Sequence, residues 1–486
     1  MMRAGMGSPT DSVVAPRERQ PVGVLTALSA LVLLAFLAFM AWLQYGGVRV
    51  ESVDEPERAL ALIVGRTMDL DDAIARAPAW ERFFYRVLST EPAEDLAEAI
   101  RWYEELAETS FDPTVDLKLA TLEAEAGRLD AVRRRIVQWG GRPEPLPELA
   151  QLVAAAYLGG DLDTADGPVQ ALGDDLEPGW FRDRLLVRVA ARVGDREALA
   201  ALSRAQAARS SVLLVRMRVL LALELLLLVV ALVALIRLIS RRGALARVGG
   251  AILPPHWRGR EGMAVLIRGG ALGVIVLGAL YVYSAFSPEL PVTRLMLGTA
   301  TNLSFVPVLI LTQRRLLGPR GLGFVDGFGL IPIAGGGRRF AFAFFTLFAL
   351  GQLGESVMDI AARWLGLSAH WTEWFDADMV WGTPLTVGLT IFDTVLLTPV
   401  FEEIVFRGLL FATLRRRFGA GTAAVLSAAI FAVAHGYGVL GFAAVFWSGL
   451  LWAWAYERTG SLLPSIASHA MDNLMAGLGV ILVLRG

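Results

Sequence analysis

The sequence predicts an all-α fold: a polytopic helical membrane protein of about nine spans with an extracytoplasmic α-helical, tetratricopeptide-like solenoid domain. Three observations predict it. Of 486 residues, 55% are hydrophobic and 19% charged, too oily a balance for an ordinary soluble enzyme. Apolar runs long enough to cross about 30 Å of hydrocarbon recur along the chain. One long segment, 46–210, breaks that pattern, being charged and helical in period.

Taken in order, residues 1–20 form a cytoplasmic tail and 21–45 a transmembrane anchor, "VGVLTALSALVLLAFLAFMAWL". A cleaved signal peptide is the competing reading, but the run is long for an h-region and lacks a clear small-residue cleavage site. After the outer segment, spans are expected near 212–236, 264–286, 295–313, 340–364, 385–411, 420–436, 440–456 and 462–484. Residues 211–300 hold transmembrane helices and a cytoplasmic loop, and 301–486 form the domain that carries the chemistry. Arginines cluster in "RLISRRGALAR", "QRRLLGPRG" and "RRRFG", whereas the loop "HWTEWFDADMVW" is acidic and rich in tryptophan. Basic loops stay in the cytoplasm, so the N-terminus lies inside and 46–210 outside. The tryptophans read most simply as an interfacial belt, and the Gly-rich "GFGLIPIAGGGRR" as a flexible cytoplasmic loop, since it lacks the lysine and spacing of a P-loop. The Ala-, Leu-, Arg- and Gly-rich composition has a bacterial cast, which points to the bacterial inner membrane.

In the outer segment three similar turns recur: "GRLDAV" from Gly127, "GDLDTA" from Gly160 and "GDREAL" from Gly194, spaced by 33 and 34 residues. That period resembles stacked helix pairs of the tetratricopeptide type. Each glycine suits a left-handed helix cap, with an acidic residue opening the next helix. A solenoid's concave face binds a protein or peptide partner; a plain helical bundle acting as a spacer is the alternative. The net charge of −2 points away from nucleic acid, and the absence of cysteine excludes disulfides, thiolate metal sites and a cysteine nucleophile.

Charge inside the oily C-terminal runs is where function is expected. "LLTPVFEEIVFRGLLF" carries Glu402, Glu403 and Arg407; "IFAVAHGYG" carries Phe431 and His435; "SIASHAMDN" carries His469 and Asn473, four residues apart and on one face. Glu402 and His435 each lie about 16 residues from the basic turn at Phe418–Gly419, hence roughly 24 Å from it on antiparallel neighbours. Asn473 lies some 20 Å from its own turn, "ERTGS". Three helices can therefore bring Glu402, His435, His469 and Asn473 to one depth.

Two chemistries fit those groups. Glu402 can serve as a general base towards water, with an imidazole sharing that water and the second His and the Asn amide donating to an oxyanion. Alternatively, Glu402, His435, His469 and Asn473 can ligate a divalent metal such as zinc, whose bound water attacks. Arg407, one turn after Glu403, neutralises that carboxylate in a supporting role. The other readings are a satisfied packing device and an ion relay in a transporter. The transporter would ordinarily show matching broken helices in two halves, and the one candidate break, at Pro399, has no counterpart.

"EEIVFR", "FAVAH", "HAMDN" and the preceding "RTGSL" together resemble the motifs of the CPBP family, the type II CAAX prenyl proteases and bacteriocin-processing or immunity (Abi) proteins. The resemblance covers about 385–480 closely, and extends to roughly the last third of the chain. It implies an intramembrane endopeptidase on an all-helical membrane fold, acting on a membrane-associated protein or peptide. It also implies the roles: Glu402 activating water with His435, His469 and Asn473 stabilising the oxyanion or completing a metal site, and Glu403, Arg407 and Phe431 in support. Members have been described both as metalloproteases and as metal-independent glutamate-type peptidases. An immunity protein that sequesters a partner without turnover is the alternative. The anchor and solenoid lie outside the resemblance and suggest a module that recruits a substrate or partner.

Overall fold

The computed structural model describes residues 23–45, 49–88, 92–160, 177–240, 256–286, 299–333 and 336–485. The expected N-terminal tail, most of the basic run after Ser240 and most of the turn that begins at Gly160 lie outside the described residues. Helix dominates and no strand occurs among the described residues.

The helices are α1 (Val24–Tyr45), α2 (Pro56–Arg76), α3 (Ala79–Leu88), α4 (Pro92–Thr109), α5 (Pro113–Glu125), α6 (Leu129–Trp139), α7 (Leu146–Val153) and α8 (Trp180–Val193). Then come α9 (Arg196–Ser240), α10 (Gly259–Phe286), α11 (Ala300–Thr312), α12 (Gly337–Leu365) and α13 (Pro384–Ile391). Last are α14 (Ala412–Ala434), α15 (Val439–Thr459) and α16 (Leu463–Leu484). Between α13 and α14 the chain stays helical through a π segment Phe392–Leu397, an α turn Thr398–Glu402 and a second π segment Glu403–Phe411.

Among the described residues six helices are long and apolar enough to cross a membrane: α1, α9, α10, α12, α15 and α16. They make the chain an integral membrane protein. The other three expected spans are helical but do not meet that test. Helix α11 is short and contains Pro307, the run from Pro384 alternates between α and π, and α14 joins two helices across Gly419 at φ 78°.

Helices α2 to α8 make up the segment expected to lie outside, called the outer domain below, with local signals agreeing with the chain's path. Asp112 caps α5 by accepting from Thr114 N at 2.9 Å, and Pro113 follows in the first turn. Two of the three repeated turns cap as expected, Gly127 at φ 75° and Gly194 at φ 76°; at the middle turn the left-handed residue is Gly159, one position earlier than expected. The third turn opens α9, where Asp195 Oδ1 accepts from the backbone of Glu197 and Ala198. At 45 residues α9 is about 68 Å long, and it joins the packing of α2 and α8 to a candidate membrane span in one continuous helix.

The outer domain shares a core with the membrane region. Trp371 is fully buried with Leu60, Ile63, Ile100 and Tyr103 from the outer helices, and Leu484 at the end of α16 joins the same cluster. This corrects the expectation of an interfacial belt for Trp371, which has become core. His370 Nε2 lies 3.1 Å from Glu105 of α4. Part of the Gly-rich stretch expected to be flexible, Gly327–Gly329, is buried. Phe328 is fully buried, and Tyr456 of α15 donates to its carbonyl at 3.0 Å. Gly329, at φ 70°, sits so close to Gly460 that a Cβ would fall 2.2 Å from its carbonyl oxygen.

Candidate active site

The site is built around the second π segment. Every residue from Glu402 to Leu414 is buried, so this helical stretch is the centre of the bundle. A π helix is wider than an α helix and is found mostly as short bulges at functional sites. Here it spans Glu403–Phe411, covering the second glutamate and the arginine.

Glu403 and Arg407 form a fully buried ion pair, with Arg407 Nη1 donating to Glu403 Oε1 at 2.8 Å. The guanidinium also lies over the rings of Phe431 (4.2 Å) and Trp452 (4.8 Å), so its remaining faces meet aromatic π systems. Gly449 of α15 makes the room: a Cβ there would sit 3.2 Å from Arg407 Nη2 and 3.0 Å from Ala428 Cβ.

His469 is the hub. Its Nδ1 lies 3.2 Å from the Glu403 Oε1 that accepts from Arg407, and its Nε2 lies 3.6 Å from Glu402 Oε2. The ring stacks on Trp452 at 4.1 Å and 17° and meets the edge of Phe431. With Nδ1–H donated to a carboxylate, Nε2 is the nitrogen turned to the reaction space. Glu402 is 6% exposed, and its Oε2 has no hydrogen-bond partner. A gap of 3.6 Å is too long for a direct hydrogen bond and suits a bridging water or substrate oxygen.

His435 is tied to the same cluster through Phe431. Its ring packs against that of Phe431 at 4.6 Å, and its Nδ1 donates to the Phe431 carbonyl at 2.8 Å. A carbonyl only accepts, so Nδ1 carries the proton and the Nε2 of neutral His435 is a bare acceptor. Asn473 is turned differently from its companions. Its amide donates to the carbonyl of Thr394 at 2.7 Å, inside the first π segment, which leaves a second N–H.

The structure thus brings Glu402, Glu403, Arg407, Phe431 and His469 into one contact network. His435 joins it by ring contact, and Asn473 is anchored alongside. Sequence reasoning missed Trp452, the platform for both His469 and Arg407; nothing in "GLLWAWAYERT" separates it from its neighbouring tryptophans. It also missed Ser465, which donates to the Trp452 carbonyl at 3.1 Å. Ser465 lies four residues before His469, so a one-face reading of α16 could have found it. The π geometry had no signal in residue type.

Among the described residues no three His, Asp or Glu side chains converge on a position that could hold an ion. His469 Nδ1 faces Glu403, which leaves its Nε2 on the side of Glu402.

Residues 384–475 match the sequence model of the type II CAAX prenyl endopeptidase Rce1-like family. The similarity is confined to that segment. The Rce1-like segment contains all seven site residues from Glu402 to Asn473, and the family is one of CAAX-type intramembrane proteases. The anchor and outer domain lie outside the match. No curated protein and no solved structure matches the chain.

Proposed function

We propose that the chain is an intramembrane endopeptidase that hydrolyses a peptide bond of a membrane-associated protein or peptide. The observation that carries this reading is the pair of Glu402 Oε2, buried and without a partner, and His469 Nε2, 3.6 Å apart within the Rce1-like segment. Glu402 is the general base. It takes a proton from water as the oxygen adds to the scissile carbonyl, and returns it to the leaving amine. The bare Nε2 of His435 accepts from the same water. His469, in its imidazolium form, and the second N–H of Asn473 donate to the oxyanion. Glu402, Glu403 and Arg407 together carry one excess negative charge, and the imidazolium of His469 balances it, which avoids burying an unpaired charge.

We further assign the architecture. Residues 21–45 anchor the chain, 46–210 form an extracytoplasmic helical-repeat domain, 211–300 hold transmembrane helices and a cytoplasmic loop, and 301–486 form the protease domain. The helices of that assignment cross a bacterial inner membrane about nine times, with the N-terminus inside, as the arginine-rich loops favour. The outer domain recruits a protein partner or substrate. Trp371 and Leu484, seated in its core, support a fixed mounting over the protease domain.

The test compares peptide termini generated in native membranes by the wild-type chain and by Glu402→Gln at equal expression. Termini present with wild type and lost in the variant are expected. Identical profiles with the substrate confirmed present would overturn the proposal.

A further inference from the structure

Helix α3, "AWERFFYRVL", is strongly amphipathic and packs against the membrane-entering part of α9. Tyr85 is buried against Leu214 and Leu221, while Trp80 (66%) and Phe83 (63%) are exposed. The span of α9 can be placed by its charges. Arg218 and Arg237 bracket the residues 219–236, which are about 27 Å long and close to the ~30 Å thickness of a bilayer's hydrocarbon. Arg218 therefore marks the boundary on the outer-domain side. It is there that α3 is fastened, because Arg218 Nε and Nη2 donate to the two oxygens of Glu81 at 2.7 and 2.8 Å. The fork neutralises the acid that α3 carries at the contact.

Between the two helices runs a groove of about 400 Å³, walled by Pro78, Trp80 and Tyr85 and floored by Leu221, Ala222 and Leu225. Leu225 is seven residues past Arg218, hence about 10 Å below the boundary. The floor is continuous with the exposed apolar face of the span, formed by Val219, Leu226 and Val229.

We propose that α3 is an interfacial helix lying in the lipid leaflet on the outer-domain side, with a phospholipid acyl chain seated in this groove. Three features favour lipid as the occupant. The groove opens onto a face that lipid must cover wherever α9 crosses the membrane. Its depth matches the ~5–10 Å to which interfacial helices sink. A tryptophan stands at its rim, where tryptophans concentrate at membrane boundaries. The helix then fixes the height of the outer domain over the bilayer by a second attachment, besides α9 itself.

The chain has no cysteine, so a single introduced one can be labelled uniquely. Phe83→Cys in the full chain would carry a spin label in phosphatidylcholine–phosphatidylglycerol vesicles, with accessibility to dissolved oxygen and to a water-soluble nickel chelate measured by power saturation. Val219→Cys, on the lipid-facing side of the span, and Val137→Cys, 78% exposed on α6, give the lipid and water references. The expected result is an oxygen-to-nickel ratio for position 83 near that of 219 and several-fold above that of 137. A ratio matching 137 would overturn the proposal. So would shielding from both probes, which would mean a protein partner or second copy covers α3. Because all three positions are exposed, the labels perturb folding little; retained thermal unfolding confirms it.

Discussion

Replacing Arg407 by methionine removes the cation paired with Glu403 while nearly keeping its length. Glu403 then faces His469 at 3.2 Å and nothing else that is charged in its immediate contacts. Breaking a fully buried ion pair from one side costs ~3–5 kcal/mol, because the two buried carboxylates are then left with the single imidazolium of His469 between them. The stacking of the guanidinium on Phe431 and Trp452 is lost as well, though the methionine thioether regains part of that contact. In the double variant Glu403→Gln/Arg407→Met no bare charge remains, so most of the penalty should vanish and the coupling should be roughly 2–3 kcal/mol. Thermal unfolding in detergent reads the difference. The single variant should melt lower by on the order of 10 °C, with the double variant recovering most of the loss. The double variant should lose turnover, since it removes the carboxylate that orients His469, whereas Arg407→Met keeps that carboxylate. Additive single effects, or an Arg407→Met cost below about 1 kcal/mol, would refute the argument that the pair exists to balance a buried charge.

Glu402→Gln removes the base without removing a partner, so turnover should fall at least ~10²–10⁴-fold while the unfolding temperature holds or rises; a kinetic assay beside a melt checks both. Glu373 accepts from Gly438 N at 3.0 Å and from Arg49 at 2.8 Å, three residues from His435. Glu373→Ala should therefore lower kcat roughly 10-fold with KM little changed, since displaced catalytic groups cost rate rather than binding; steady-state kinetics would show it. Asp71 in the outer domain is pushed up to about 7 by burial and by Asp95 and Asp72. Because its folded value is raised, its stabilising contribution is present below about pH 4 and is lost as pH rises through about 7. Outer-domain protection against hydrogen exchange or proteolysis should fall over that window, and Asp71→Asn should flatten the profile.

The depth argument from sequence worked because hairpin turns set the register. "RRRFG" and "ERTGS" fix where three helices start, and counting from them put Glu402 and His469 within reach of each other. It could not resolve what each side chain turns towards. Asn473 was expected beside the reacting oxygen, yet one of its N–H groups is held by the Thr394 carbonyl, and a backbone carbonyl has no signature in residue type. The π segments were equally silent, since a wide turn uses the same apolar residues as a narrow one. Trp371 was legible as an aromatic near a boundary, but its burial depends on contacts with α2 and α4, which are far away in the chain. The helices of the outer domain were legible from their period, and two of the three glycine caps fell on the expected residue.

The connection between outer domain and site is short. Arg49, just beyond α1, and Glu373, in the loop packed into the outer domain's core through Trp371, meet over the turn that links α14 to α15. That turn is glycine-rich for a reason: a Cβ on Gly438 or Gly441 would lie 2.8 or 2.7 Å from the Glu373 carboxylate. The carboxylate therefore approaches the N-terminus of α15, where the backbone N–H groups and the helix dipole favour a negative charge. Tyr437, in the same turn, lies against the ring of His435 at 5.4 Å. Gly438 is thus tied to the loop mounted on the outer helices, while Glu402, Glu403, Arg407 and His469 are mounted on the membrane bundle. Arg49→Ala separates the two mountings: it should loosen the turn around His435 and leave the buried ion pair, and the melting temperature that depends on it, nearly unchanged.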